Sequence, residues 1–402
     1  MRSAMGAFPT MIAPMVLAFI LPFPHTVALR LVCLLIAVVT AVYVWRRLDV
    51  PAIPFKAAIG VWALVACISV FYAVDPAYTL GEIKNEIFYS MLAFVAALAL
   101  TRDEARLRLI CLAVSGGFAV IAVAAIAGFA WYGRWPPDIW YVGGPPATNY
   151  LVMAAPMAAL GAYLWTPRRI VPALAFIAVL LVTLAVLSGQ RAIWPALAAQ
   201  AVVACIWLVR KRVLAKEPLR SVVIALVVIV LPSIGLYATE ELRTKIEPFA
   251  AMEKDLRPVV WKEIVERIAQ KPLTGAGFGR EALARAYPDI IPPSNPLFWH
   301  AHNVVLNYGV SAGVPGMLAI LWLFGAIGWR FWRIAASEDA TLRAIGLAGV
   351  LLVTGLFARN MFNDFFLREG AIFFWSMCGA LLGVALRAPR DAARASQAVT
   401  GT

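Results

Sequence analysis

Two of the three histidines in this chain share one short segment, Trp299-His300-Ala301-His302-Asn303. Imidazole titrates closer to neutrality than any other side chain, so it is the first group to consider as a general base. Asn303 can cap a following helix, and a helix N-terminus disfavours the cationic imidazole, which keeps His302 able to accept a proton. We therefore predict that His302 is a base and that His300 and Asn303 support it. The alternative is that both histidines are interfacial residues beside Trp299 and take no part in catalysis.

Two arginines lie at positions where a cation is unusual or could bind an anion. Arg191 lies in a very short connection between two apolar segments, and Arg257 precedes Pro258 at the start of an amphipathic segment. A guanidinium beside free helical amides forms an anion site. The alternatives are contact with lipid headgroups for Arg191 and a surface ion pair with Glu253 or Asp255 for Arg257. Supporting residues on the same predicted face are Lys84, Arg359 and Asp364.

Several cations and one base on a common face suit an anionic substrate that stays anchored in a membrane. A pyrophosphate leaving group needs charge stabilisation and no proton donor, and arginine supplies that stabilisation. The base would take the proton of the attacking hydroxyl. A metal site is disfavoured, because two histidines at i and i+2 need further ligands that the sequence does not place nearby. We therefore expect neither a metal nor a cofactor.

The composition indicates that lipid surrounds most of the chain. Hydrophobic residues make up 62% and charged residues 14%, against about 25% charged residues in soluble domains. Backbone groups in hydrocarbon must be paired internally, and since none of the apolar runs alternates, we predict helices and an all-α integral membrane protein. The five cysteines lie in apolar runs without a CxxC spacing and are expected to pack. About twelve segments are long enough to span a membrane: 10–23, 27–45, 57–74, 86–101, 107–131, 149–166, 170–187, 192–209, 221–238, 304–328, 342–359 and 370–387.

The cations set the predicted orientation. Twenty of the 35 lysines and arginines fall on one side of this arrangement, which the positive-inside rule makes cytoplasmic, together with both termini. The net charge of +13 is then a topology signal, and we expect no nucleic-acid partner. The first helix is expected to be uncleaved.

One connection between the predicted spans, residues 239–303, is much longer than the others. The chain thus divides into helices 1 to 9 (1–238), a large periplasmic loop with an amphipathic helix (239–303), and helices 10 to 12 with a cytoplasmic tail (304–402). In the loop, the apolar residues Trp261, Ile264, Val265 and Ile268 recur at helical spacing.

Around these residues the sequence resembles the bacterial O-antigen ligases, within the superfamily of O-antigen ligases, polymerases and O-oligosaccharyltransferases. Arg257 to Trp261 is followed by Lys271-Pro272-Leu273-Thr274-Gly275-Ala276-Gly277, which is similar to the superfamily's arginine and Pro-x-x-Gly-x-Gly motifs. The run from His302 to Leu306, with Gly313 to Gly316, is similar to its His-Asn-x-x-Leu and Gly-x-x-Gly motifs. Arg191 stands where the family has an arginine between two spans.

The resemblance implies a fold like the C-type glycosyltransferases and a periplasmic active site at the bacterial inner membrane. It implies transfer of a glycan from undecaprenyl pyrophosphate to a hydroxyl of the lipid A-core oligosaccharide, without a metal and with inversion. In that scheme His302 is the base, and Arg191 and Arg257 hold the pyrophosphate. Membrane lipids complete the expected partners.

Other functions remain open at this stage. An O-antigen polymerase would use the same donor, but polymerases of the superfamily usually have two sizeable outer loops. A protein O-oligosaccharyltransferase is disfavoured because there is no additional region after Arg387. A transporter of lipid-linked oligosaccharides would place charge at the bilayer midplane, and Arg30 is the only basic residue predicted to lie well inside a span.

Overall fold

The computed structural model describes residues 2–23, 25–45, 51–135, 145–211, 224, 226–246, 256–291, 299–363, 366 and 368–388. This part of the chain is all-helical, as predicted, and contains no strand. We number its α-helices in chain order: α1 (Arg2–Ile20), α2 (Val27–Trp45), α3 (Lys56–Ile68), α4 (Pro76–Glu82), α5 (Tyr89–Leu100), α6 (Glu104–Tyr132), α7 (Pro145–Trp165), α8 (Ile170–Leu187), α9 (Ile193–Arg210), α10 (Leu231–Ile246), α11 (Arg257–Gln270), α12 (Ala282–Ala286), α13 (Val304–Ala335), α14 (Ala340–Asn360) and α15 (Arg368–Ala385). A π-helical turn, Ile83–Phe88, joins α4 to α5.

Each predicted apolar segment coincides with a helix where the structure describes it. Within the described residues, seven helices are long and apolar enough to cross a membrane, and two shorter ones, Pro9–Ile20 and Lys56–Tyr72, are also apolar. The number of twelve spans stays a prediction. The fourth helical segment begins ten residues earlier than predicted, at Pro76, because Asp75 caps it by accepting a hydrogen bond from the backbone N–H of Tyr78 at 2.9 Å.

Helices α7, α9 and α14 are joined by one glutamine. Pro156 inside α7 has no N–H, so the carbonyl of Val152 loses its usual partner four residues later. The buried Gln200 of α9 donates to that carbonyl at 2.7 Å and to the carbonyl of Leu351 in α14 at 2.8 Å. The proline in α7 therefore creates an attachment point for its neighbours instead of an unpaired group.

Helix α13 is broken near its start, and the long connection fills the break. Ala312 and Gly313 have non-helical backbone angles, and Pro315 follows them. The freed carbonyl of Val310 accepts the N–H of Ala276 at 2.8 Å, and that of Ser311 accepts the N–H of Gly277 at 3.1 Å. The N–H of Val314 donates to the carbonyl of Pro272 at 2.8 Å. The Pro-x-x-Gly-x-Gly and Gly-x-x-Gly motifs are therefore two halves of one backbone contact.

Gly275 is required by this contact. A Cβ atom on Gly275 would lie 2.4 Å from the carbonyl oxygen of Val310 and from the carbonyl carbon of Ser311. Only a residue without a side chain lets the two backbones approach this closely.

The described part of the long connection folds on the bundle with a small core of its own. Helix α11 begins at Arg257 with Pro258 in its first turn, as predicted. Its buried residues are Val260, Ile264 and Ile268, which pack against Leu283 and Val310, among others. Val265, by contrast, is 52% exposed. Apolar residues occur on two sides of α11, and contact with α13 selects the side that carries Val260.

Candidate functional site

His302 is held in place by the residues on either side of it. Asn303 is the N-cap of α13, as predicted, and accepts the N–H of Leu306 at 3.1 Å. The Asn303 amide also donates to the carbonyl of Met361 at 3.1 Å, just beyond the end of α14. On the other side, the indole of Trp261 in α11 donates to the carbonyl of Ala301 at 2.8 Å. Three elements thus fix the backbone that carries this imidazole.

The backbone of His302 itself is strained. Its φ is +50°, in the left-handed region that costs an L-residue roughly 1–2 kcal/mol. Such conformations persist where the surroundings impose them, and they cluster at functional sites. The partly exposed ring of His302 stacks on the ring of His300, with centroids 3.8 Å apart.

His300 lies beneath this ring and is 3% exposed. Burial lowers its pKa well below the usual range, and the ring of His302 with the guanidinium charges of Arg280 and Arg257 lowers it further. His300 is therefore neutral at any physiological pH. Its Nδ1 accepts the backbone N–H of His302 at 3.1 Å, and its Nε2 lies 2.8 Å from a guanidinium nitrogen of Arg280.

These two contacts compete. Arginine can only donate, and a neutral imidazole has one acceptor nitrogen and one N–H. When Nδ1 accepts from His302, the Nε2–H of His300 faces the N–H groups of Arg280 and cannot donate to them. An anionic oxygen that enters this place can receive both hydrogens, once Arg280 turns towards it.

Arg280 is a site residue that the sequence analysis missed. Besides its contact with His300, its guanidinium lies 4.6 Å from the centre of the Trp299 ring. It follows the glycine-rich stretch directly, and Gly279 has a φ of +139° in close contact with Tyr78. An arginine immediately after an irregular glycine-rich stretch is the sequence signal that could have identified it.

Arg257 and Arg359 belong to the same cluster. The charge of Arg257 acts on both His300 and Arg359. Arg359 is completely buried at the end of α14, where its Nε and one Nη donate to the Thr148 hydroxyl at 3.2 and 2.9 Å. Burying a guanidinium costs several kcal/mol in free energy. Three arginines and two histidines therefore share one end of the bundle, an arrangement that favours a bound anion.

Arg191 lies at the same end but apart from these contacts. It precedes α9, and its Nε is 3.6 Å from a carboxylate oxygen of Glu240 in α10, which compensates its charge. Gln200 of α9 pairs with Leu351 of the antiparallel α14. Arg191 lies nine positions before Gln200, and Arg359 lies eight positions after Leu351. These separations correspond to about 12–14 Å along the helix axes. Both arginines therefore lie at the same end of the bundle. The role of Arg191 in binding the substrate stays a prediction.

The remaining supporting residues differ in position. Lys84 is exposed in the π-helical turn, inside a helical segment and not in the connection predicted for it. Asp364 lies outside the described residues, as do Glu253 and Asp255.

Two buried carboxylates were also missed. Glu82 and Glu86 are each 6% exposed, one turn apart at the π-helical turn. Glu86 lines a cavity of about 10 Å³, the size of one water molecule. Asn307, one turn beyond the cap of α13, lines it too. Acids at i and i+4 in an apolar segment were the available signal, because ionisable residues in a span are functional candidates.

The described residues contain no group of three His, Cys, Asp or Glu side chains that could hold a metal ion. What they do place together is one partly exposed imidazole on a fixed backbone and three guanidinium groups. This set can take a proton from a hydroxyl and stabilise a phosphate leaving group.

Comparison with known proteins supports the resemblance seen in the sequence. Residues 176–321 match the family model described as O-antigen ligase. No curated protein matches the chain. The matched region holds Arg191, Arg257, Arg280 and both site histidines, and this match supports the resemblance to the superfamily of O-antigen ligases and polymerases.

Proposed function

We propose that this protein is an O-antigen ligase. It transfers the glycan of an undecaprenyl-pyrophosphate donor to a hydroxyl of lipid A-core oligosaccharide at the periplasmic face of the inner membrane. The family match supports glycosyl transfer of this general kind. The observation that carries the mechanism is the cluster in which His302 lies against His300 beside the charges of Arg257 and Arg280.

The reaction follows from the roles available in that cluster. The acceptor hydroxyl gives its proton to the His302 imidazole as its oxygen attacks the anomeric carbon from the face opposite the leaving group. The bond from that carbon to the pyrophosphate oxygen breaks, and the configuration inverts. Arg257, Arg280 and Arg359 stabilise the charge that develops on pyrophosphate, and Arg191 holds the donor from α9. His302 then releases its proton to water.

His300 and Asn303 act through His302. His300 accepts the backbone N–H of His302, and Asn303 caps the helix that begins beside it. A phosphate oxygen between His300 and Arg280 would accept from both, which relieves the competition at the His300 ring. Lys84 and Asp364 stay as supporting residues to be tested.

Three alternatives use other acceptors or no chemistry. A polymerase would transfer the same glycan to a second lipid-linked glycan, and a protein O-oligosaccharyltransferase to a protein. A transporter is disfavoured, since Arg30 lies in the first turn of the candidate span Val27–Trp45 and not near its middle, and its guanidinium is 3.0 Å from a carboxylate oxygen of Glu369 at the start of α15.

The test is a reconstituted transfer reaction with purified protein in nanodiscs. Undecaprenyl-pyrophosphate glycan is supplied with lipid A-core, with a second lipid-linked glycan, or with neither. Glycosylated lipid A-core from the wild type, and none from His302→Ala, is the expected result. Elongated lipid-linked glycan would identify a polymerase, and intact donor in every mixture would refute a transferase.

A further inference from the structure

A groove opens in the half of the bundle away from the candidate site. It has a volume of about 310 Å³, within the roughly 300–1,000 Å³ of pockets that hold small ligands. The second half of α7 and the first turns of α8 and α14 form it, with Trp207 of α9. Apolar side chains line it almost throughout, and the exceptions are Tyr163 and Arg343. Its walls therefore suit a hydrocarbon chain.

One end of this groove is cationic. Arg343 lines it directly, Arg169 precedes the lining residue Ile170, and Lys211 lies one turn beyond Trp207. The acids at this end are Glu338, 4.0 Å from Lys211, and Asp339, whose carboxylate caps α14. The described cations there are Arg168, Arg169, Arg210, Lys211 and Arg343. Five cations against two acids leave a net positive charge.

Of the described cations at this end, Arg343 is the one that lines the groove, whereas Lys211 and Arg210 contact other groups. Lys211 donates to the carbonyl of Ala336 at 3.2 Å, and the Arg210 guanidinium lies 5.2 Å from the centre of the Trp332 ring. Both are thereby turned towards the end of α13. Arg343 instead borders the groove on α14, one residue before Ala344, which also lines it.

We propose that this groove binds an anionic phospholipid, with one acyl chain between α7, α8 and α14 and its phosphate at Arg343. Only a molecule with a hydrocarbon chain and an anionic headgroup satisfies both the apolar walls and the cationic end. Basic pockets between membrane helices bind such headgroups in general. The donor lipid is a poor fit, because its pyrophosphate belongs at the opposite end of the bundle. This exclusion of the donor rests on the proposed function, whereas the binding of a phospholipid does not depend on the transfer reaction.

The experiment measures lipid binding to the delipidated full-length protein in detergent. Phosphatidylglycerol and phosphatidylcholine with identical acyl chains are titrated while thermal unfolding is followed by tryptophan fluorescence. A lipid that binds the folded state raises the midpoint. We expect phosphatidylglycerol to raise it by several degrees and phosphatidylcholine to have a much smaller effect. Equal effects of the two lipids would overturn the proposal.

Two variants test the assigned ends of the site. Arg343→Gln should weaken phosphatidylglycerol binding about fivefold, as expected for one basic residue near a headgroup, and Ala344→Phe should block the acyl chain. The matched control is Arg108→Gln, which removes a cation near the start of α6 that pairs with Glu104 and does not line the groove. Equal affinities of Arg343→Gln and Arg108→Gln would refute the headgroup site. Displacement of phosphatidylglycerol by undecaprenyl phosphate would assign the groove to the donor tail and refute it as well.

Discussion

The roles of the two ring nitrogens of His300 can be tested separately by substitution. His300 is buried, and its Nδ1 accepts the backbone N–H of His302 at 3.1 Å. Asparagine can place an oxygen near the position of Nδ1, whereas glutamine reaches the position of Nε2, which lies beside Arg280. The variants His300→Asn, His300→Gln and His300→Ala therefore separate the two contacts.

The expected loss follows from the group left without a partner. Without an acceptor at position 300, the His302 N–H is orphaned, at a cost of about 1–3 kcal/mol. The left-handed backbone of His302 also loses the contact that offsets its strain. At 1.36 kcal/mol per tenfold change, that cost corresponds to a rate loss of about 5- to 150-fold. Loss of a general base costs about 10² to 10⁴, so His302→Ala should be the more severe change.

Single-turnover transfer is the assay, with donor affinity measured in parallel. We expect His300→Asn to keep most of the wild-type rate, and His300→Gln and His300→Ala to lose 5- to 150-fold by the argument above. Donor affinity should fall least in His300→Gln, whose amide reaches the position of Nε2 beside Arg280, where the phosphate oxygen is proposed to bind. A fully active His300→Gln with an inactive His300→Asn would show that the contact with Arg280 matters and that the bond to His302 does not.

Four further predictions follow from the same structure. Transfer should continue at an undiminished rate in excess EDTA, and a loss that magnesium or manganese restores would contradict arginine stabilisation of the leaving group. Arg257→Lys and Arg191→Lys should each lower the rate by an order of magnitude or more with normal membrane insertion, because lysine lacks the bidentate fork; wild-type rates would reduce both to topology residues. Gly275→Ala should destabilise the protein by about 1–3 kcal/mol in thermal unfolding, whereas the control Gly81→Ala, with no atom within 4 Å of the added Cβ, should not. The fold lowers the pKa of His300, so the His300 imidazole binds a proton only when the segment 299–303 opens. In the wild type, protection of residues 299–303 from hydrogen exchange should therefore be full above about pH 6.5 and fall below that pH. In His300→Asn, which lacks the titrating group, protection should not fall in this way.

The sequence predicted those parts of the site that depend on contacts between residues close together in the chain. Asn303 as a helix cap and Pro258 in the first turn of α11 depend on neighbours within three residues, and both are confirmed. The overall helical class follows from composition in the same way. The histidine pair was visible because the chain has so few histidines.

Contacts between distant segments were not predictable in this way. The break in α13 is stabilised by backbone groups about forty positions earlier in the chain, in the stretch 272–277. Periodicity describes a helix by its own residues, so it marked 304–328 as continuous and read the glycines as an irregular stretch. Arg280 beside His300 and Arg359 against Thr148 depend on the same long-range packing. The orientation of α11 depends on this packing too, since apolar residues occur on two sides of the helix and contact with α13 buries the side that carries Val260.

The pairing of the loop with the broken helix explains how the chemistry is held together. Residues 272–277 are tied to α13 by three backbone hydrogen bonds, and α13 begins at the cap beside His302. Arg280 follows the tied stretch within a few residues, so the same backbone contacts position Arg280 and the start of α13, where the two histidines lie. Arg359 comes from α14 and Arg191 from the start of α9, which are joined to each other through Gln200. An anion held by both groups would therefore bridge the loop unit and the helix bundle. Binding energy from the donor's pyrophosphate would then be used to bring His302 against the acceptor hydroxyl, which is the arrangement that an inverting displacement requires.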